Sequence, residues 1–296
     1  KDVSLTGGTS ISLQTQTTSQ ELEVFLSEKI QDFSIKTILD NSGNQLQLII
    51  IVDESQTKNL EDALEELIGE ELSTKNSSKE TTSASLSKDF YKQLISAVLL
   101  AFFWMSAVVF LIFSKNRKIK MWVIILNILL GFFMGNFFFS INPILSGIIF
   151  LVFASTLITI YIKNSIPAFA VILSAFSNIV MTLFLVNLIG IKLSTAGIIA
   201  FLMLIGYSVD TDILLTSRIL NRKEGLNSSL LRAFKTGTTM TLTSIIAIIS
   251  ALIIILPFSS VLNQIFIILL IGLGLDLFNT WVTNASILKW YVEEKL

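Results

Sequence analysis

Seven long apolar runs, beginning just after Tyr91, constrain this chain more than any other feature. A helix needs about 20 apolar residues to cross a hydrocarbon core about 30 Å thick. Runs of that kind occupy 93–113, 120–139, 143–162, 167–190, 195–216, 238–257 and 264–287. Residues 1–90 are polar, with a Ser/Thr-rich end. The expected fold class is a mainly α membrane protein: a polytopic helical bundle over 91–296, preceded by an α+β domain over 1–90. The turn at Asn142-Pro143 makes 120–162 a tight hairpin. Its two spans are almost featureless and are expected to pack against lipid or a neighbour.

Basic residues in the short loops set the orientation. Lys115, Arg117, Lys118 and Lys120 follow the first run, and Lys163 separates the third from the fourth. Arg218, Arg222, Lys223, Arg232 and Lys235 separate the fifth from the sixth, whereas the alternate loops hold only Lys192. Loops of the first kind are expected in the cytoplasm, with residues 1–90 outside and Leu296 inside. That topology implies a span or signal ahead of Lys1.

In the polar part, Ser4–Gln14 reads as a strand bent at Gly7-Gly8. Thr18 and Glu21 form a capping box for a helix to about Ile30, with Leu22, Phe25, Leu26 and Ile30 on one face. Ser34–Leu39 and Leu46–Val52 read as strands around the turn residues Asn41-Ser42-Gly43-Asn44. The second of these is nearly all apolar and expected to be central. Leu60, Leu64 and Leu67 mark a helix over about 57–73, and Ser77–Ser87 a last strand. The order β-α-β-β-α-β is the ferredoxin-like split βαβ arrangement. Asp53-Glu54 and Glu61-Asp62 read as solvated surface carboxylates, and Gly7-Gly8 lacks the pattern of a phosphate loop.

The chemistry available is limited. The chain has no Cys and no His. This removes thiolate sites, the usual proton shuttle and the commonest metal ligand. A net charge of −1 without a basic stripe argues against nucleic acid as a partner. No cofactor or metal is implied. An intramembrane protease is disfavoured, since there is no GxGD pattern and no serine–base pair.

The polar residues inside the spans therefore draw the functional reading. Asp210 and Asp212 interrupt the run from Leu193 to Arg218. A carboxylate at the bilayer centre costs about 2.5–3.5 kcal/mol on insertion scales. At about 1.5 Å per residue from Ser194, Asp210 lies roughly 24 Å into the core. One reading keeps the pair wet at the headgroups; the other gives it a protein partner, a water path or a moving proton. The two aspartates lie about 200° apart around a helix and cannot both face one partner. Asp276, within IGLGLDLFNTWVTN, has Asn279, Thr280 and Asn284 nearby, and Lys235 or another subunit is its expected partner. Thr239 and Thr243 share a face of the sixth span, and Asn178 adds a polar group to the fourth. These three are candidates for helix packing or a polar path.

LIGYSVDTDILLTSR at 204–218 resembles the SecF family, the smaller subunit of the SecD–SecF protein-export complex, in its archaeal form. Further similar stretches are SIPAFAVILSAFSNI (165–179), NLIGIKLSTAGI (187–198), KTGTTMTLTS (235–244) and LDLFNTWVTNASILKWYVE (275–293). VSLTGGT (3–9) resembles the family's glycine-pair motif. The resemblance is close over 165–296 and loose over 1–114. It implies membership of the wider RND transporter superfamily, six spans, an outer ferredoxin-like domain and SecD as pseudo-symmetric partner. It implies further contact with the Sec translocon channel and with the translocating unfolded polypeptide, in late steps of export.

In the bacterial branch, membrane-embedded charges use the proton motive force. Three departures stand out: the first span is absent, the hairpin 120–162 is an insertion, and Asp210-Thr211-Asp212 stands where the bacterial pattern has Asn-Asp-Thr. The bacterial membrane arginine falls on or near Gly237, with Lys235 the closest cation. Asp210 or Asp212 is thus the expected ion-coupling residue, with Asp276 and Lys235 as further candidates. Two rivals are a small-molecule or lipid exporter of the same superfamily, using a Thr-lined path, and a structural clamp without ion coupling.

Overall fold

The computed structural model describes residues 8–13, 15, 17–39, 45–73, 76–82, 84–191, 193–222, 225–256 and 261–295. Most of the 3–9 motif with Gly7, the 41–44 turn, Lys192 and Lys223 lie outside them. The chain divides into two compact units, one of residues 1–93 with 192–197 and 250–266, the other of 94–191, 198–249 and 267–296.

The first unit carries strands β1 (Gly8–Leu13), β2 (Phe33–Leu39), β3 (Gln45–Val52) and β4 (Ser77–Thr82), with helices α1 (Ser19–Ser27) and α2 (Thr57–Ile68). The strands form one antiparallel sheet in the order β2-β3-β1-β4. β3 is interior because its Leu48, Ile50 and Val52 face the helices while Ile49 and Ile51 line the other side. Alternation along β1 and β3 meets Leu22, Leu26, Leu60 and Leu64 in a single core. The capping box forms as the sequence requires: Glu21 N–H donates to Thr18 Oγ1 at 3.3 Å, and Thr18 N–H to Glu21 Oε2 at 3.2 Å.

Three boundaries differ from the periodicity. α1 ends at Ser27, although Ile30 beyond it is still buried. α2 ends at Ile68 rather than 73, because Gly69 takes a left-handed φ of 74° that a side chain resists. β4 ends at Thr82, and the next helix begins at Ala84, well before the apolar run that identified it. Of the surface carboxylates, Glu61 pairs with Lys79.

Among the described residues, seven helices are long and apolar enough to cross a membrane. They are α3 (Ala84–Phe113), α4 (Arg117–Asn136), α5 (Pro143–Asn164), α6 (Ile166–Leu188), α7 (Thr195–Leu220) and α8 (Leu226–Ile255), and then a seventh in three pieces. Its pieces are α9 (Val261–Asn279), a π turn (Thr280–Asn284) and α10 (Ala285–Lys295). The protein is therefore a multi-pass membrane protein with an N-terminal α+β domain.

The hairpin α4–α5 turns where expected, with the Asn142 side chain accepting from Ile144 N–H at 3.0 Å and Pro143 opening α5. It is not featureless. Asn127 is buried and donates to the Val123 carbonyl at 2.8 Å; the Tyr161 hydroxyl lies 3.2 Å from Ser106 Oγ of α3. Phe110, Leu130, Phe133 and Leu157 close a core between α3, the hairpin and α6. α8 is the least embedded span, burying only Ala233, Gly237 and Thr241, a narrow stripe at i, i+4, i+8.

A candidate site of three facing polar ladders

Three helices carry polar residues at i, i+4, i+8, which keeps each set on one face. They are Ser174, Asn178 and Thr182 on α6; Ser208, Asp212 and Thr216 on α7; and Asp276, Thr280 and Asn284 on the seventh span. All nine are fully buried. On an α-helix an i+4 step drifts by about 40°. The wider π turn offsets part of that drift. It keeps Asp276, Thr280, Asn284 and Leu288 inward together.

The ladders meet through two carboxylates. Asp276 Oδ1 accepts from Ser208 Oγ and, at 3.4 Å, from Asn178 Nδ2. Asp212 Oδ1 accepts from Asn284 Nδ2 at 2.8 Å. Thr182 returns its hydroxyl to the Asn178 carbonyl at 2.7 Å, and Asn279 reaches Met181 Sδ at 3.5 Å. Several oxygens in the cluster find no partner among the described residues: Asp212 Oδ2, Asp276 Oδ2, Asn178 Oδ1, Asn284 Oδ1, Thr280 Oγ1 and Ser174 Oγ. All the donors are neutral. Among the described residues no cation lies within ion-pair distance of either aspartate. Two acids in one buried, acceptor-rich cluster call for a proton or a small monovalent cation as complement, because burying an uncompensated charge is expensive.

The candidates from the sequence separate clearly. Asp212, Asp276 and Asn178 come together. Asp210, about 200° from Asp212 across the two-residue step, is exposed on the outside of α7. Lys235 is exposed on α8 and does not reach Asp276, whose partners are Ser208 and Asn178. Thr239 and Thr243 are likewise exposed and bond their own helix, to the Lys235 and Met240 carbonyls at 2.6 and 2.7 Å. The buried threonine of that span is Thr241, because the stripe that touches the bundle passes through Gly237. There a Cβ would come within 3.0 Å of Trp281 Cζ2 and 3.3 Å of Thr211 Cγ2.

Residues 139–294, just over half of the 296, match the family described as protein export membrane protein SecD/SecF, C-terminal. The chain belongs to this family. The matched SecD/SecF segment contains all three ladders. It also takes in α5, the second helix of the hairpin. Among curated relatives, the protein-export membrane protein SecF of Methanocaldococcus jannaschii is 45% identical over 146 residues, 48% of this chain and 52% of that protein. The SecF of Methanothermobacter thermautotrophicus is 40% identical over 173 residues, covering 53% and 60% of the two chains. The SecF of Haloferax volcanii is 46% identical over 138 residues, covering 46% and 48%. The chain thus spans about half the length of the curated relatives it matches. The crystal structure of SecDF from Thermus thermophilus, described as a translocon-associated membrane protein, superposes with a TM-score of 0.58 at 15% identity. It covers 99% of this chain and 34% of that one. That likeness is one of fold.

Proposed function

We propose that this chain is a non-enzymatic accessory subunit of the Sec protein translocase, acting with a SecD partner in late steps of export. In this reading residues 1–90 face the outside and engage emerging unfolded polypeptide. The C-terminus is cytoplasmic, as the loop charges indicate. The Asp212–Asp276 cluster is the seat of ion coupling. The observation that carries the reading is the pair of fully buried carboxylates held, among the described residues, only by neutral donors, inside the segment that matches SecD/SecF.

The energetics allow it. One charge crossing 100 mV releases about 2.3 kcal/mol, enough to bias a two-state domain movement of similar cost. Each aspartate is tied to the opposing helix by one or two neutral hydrogen bonds. Gain or loss of one positive charge in the cluster would therefore shift the fit of α6, α7 and the seventh span together. The test is export of a reporter protein into membrane vesicles, with and without a proton gradient, using Asp212→Asn and Asp276→Asn beside the wild type and the SecD partner. Loss of the gradient-dependent part in either variant supports the reading. Full gradient-dependent export by both removes the coupling role and leaves a structural clamp.

A further inference from the structure

Asp210 takes no part in the buried cluster, yet it lies inside a membrane-spanning helix. It precedes Arg218 by eight residues, about 12 Å of helix rise. Its side chain has a single methylene, so it cannot snorkel to the headgroups as lysine or arginine does. Among the described residues nothing bonds or pairs with its carboxylate, and Arg218 is engaged elsewhere, donating to the Arg232 carbonyl at 3.2 Å. An acid at this depth needs a complement, and the described residues do not supply one.

The surface around Asp210 is shaped for a helix. Met203, Gly206, Tyr207 and Asp210 follow at i, i+3, i+4 and i+7, one exposed stripe of α7. Below the stripe the helix turns inward, since Ile213 and Leu214 are half-buried. Gly206 is a notch: a Cβ built there meets nothing within 4 Å. Small residues are what allow two backbones to approach closely in a membrane, where no hydrophobic force drives helices together. A glycine one turn before a carboxylate offers both a close approach and a charge to be met.

We propose that this stripe of α7 docks a transmembrane helix of a partner subunit that presents a lysine or arginine to Asp210. The proposal rests on the reading of the chain as one subunit of a membrane complex. A second copy of this chain is a poor occupant, because a two-fold contact of α7 on α7 sets like against like, acid facing acid. The partner's helix brings the base, and Gly206 admits its backbone.

The absence of cysteine makes the test clean. The full chain with the single substitution Lys115→Cys is labelled with a donor fluorophore and reconstituted in phosphatidylcholine vesicles. Acceptor-labelled Leu/Ala transmembrane peptides are added that differ only in one residue, Lys, Gln or Glu, at the depth of Asp210. The expected result is energy transfer to the Lys peptide at least tenfold tighter than to the Gln peptide, with the Glu peptide weakest. Asp210→Asn removes the preference and Asp212→Asn keeps it. Gly206→Leu weakens the Lys and Gln peptides alike.

Equal binding of the Lys and Gln peptides, or a preference that survives Asp210→Asn, overturns the proposal. So does self-association of the labelled chain that competes with the peptide and disappears in Lys235→Gln, which would make a second copy the occupant. The vesicles hold no translocase component, so failure here is distinct from failure of the export assay.

Discussion

Asn284 donates its side-chain amide to Asp212 Oδ1 at 2.8 Å, joining α7 to the π turn of the seventh span. The same nitrogen lies 3.5 Å from the Asp212 backbone carbonyl. Asn284 thus fixes both the side chain and the local backbone of the acid. Replacing Asn284 by Ala leaves a buried carboxylate oxygen unsatisfied, which costs about 1–3 kcal/mol. The check is thermal unfolding of the purified protein in detergent. In a double-mutant cycle Asn284→Ala and Asp212→Asn should couple by about 0.5–3 kcal/mol, as contacting residues do. Additive effects would show that the 2.8 Å contact contributes nothing.

The two aspartates of α7 should respond differently to the same chemical change. Asp212→Asn alters a fully buried group with a defined donor, whereas Asp210→Asn alters an exposed one. Stability of the isolated chain should rise for the first, because the amide removes a buried charge while its Oδ1 still accepts from Asn284, and stay within about 0.5 kcal/mol for the second, the usual range for surface positions. Denaturation in detergent micelles checks this. A large loss for Asp210→Asn would mean that the carboxylate has a partner within the chain.

Much of this arrangement is legible in the amino-acid sequence. The seven spans follow from apolar length alone, and the core of the sheet follows from alternation in β1 and β3 beside two amphipathic helices. The turn of about 200° between Asp210 and Asp212 requires that they face apart, as they do. Polar spacing carries a further signal. Ser174, Asn178 and Thr182 repeat every four residues, as do Ser208, Asp212 and Thr216, so each ladder is marked as a single polar face. Thr239 and Thr243 carry the same spacing and point outward. Period says that residues share a face, not which way the face looks. For α8 the deciding residue is Gly237, whose lack of a side chain brings that face against Trp281 and Thr211. The π turn has no such local signature, because only contact with Asp212 shows why Asn284 must stay inward.

The crossing of α7 and the seventh span rests on Gly272. A Cβ there would lie 2.5 and 2.6 Å from the two terminal methyls of Leu204. Gly272→Ala should therefore destabilise the protein by about 1–3 kcal/mol through overpacking. Because the obstruction is the end of one side chain, Leu204→Ala should restore part of the loss in the double variant. Unfolding midpoints of the four proteins, wild type included, decide it. If the double variant is simply the sum of two losses, backbone rather than the Leu204 side chain sets the spacing.

The hairpin α4–α5 gives the last test, because its helices also face the outside along most of their length. Leu129, Phe132, Ile144, Leu151 and Val152 are exposed, so lipid contact alone would tolerate wide substitution. Tyr161 is different. It is buried against Phe110, with ring centroids 5.0 Å apart, and its hydroxyl lies 3.2 Å from Ser106 Oγ. Ser106 also donates to the Phe103 carbonyl at 2.7 Å, so it keeps a partner when the tyrosine hydroxyl is lost. Tyr161→Phe should then cost only about 0.5–1.5 kcal/mol, the net value of one hydrogen bond. Tyr161→Ala should cost about 3–5 kcal/mol, as loss of a large aromatic side chain does in a core. Leu151→Ala, at an exposed position on the same helix, should change little. A small effect of Tyr161→Ala on unfolding would mean that the hairpin can leave the bundle without disturbing it. A large effect, with limited proteolysis still sparing the 137–142 turn in the wild type, would make the hairpin an integral wall of the membrane core.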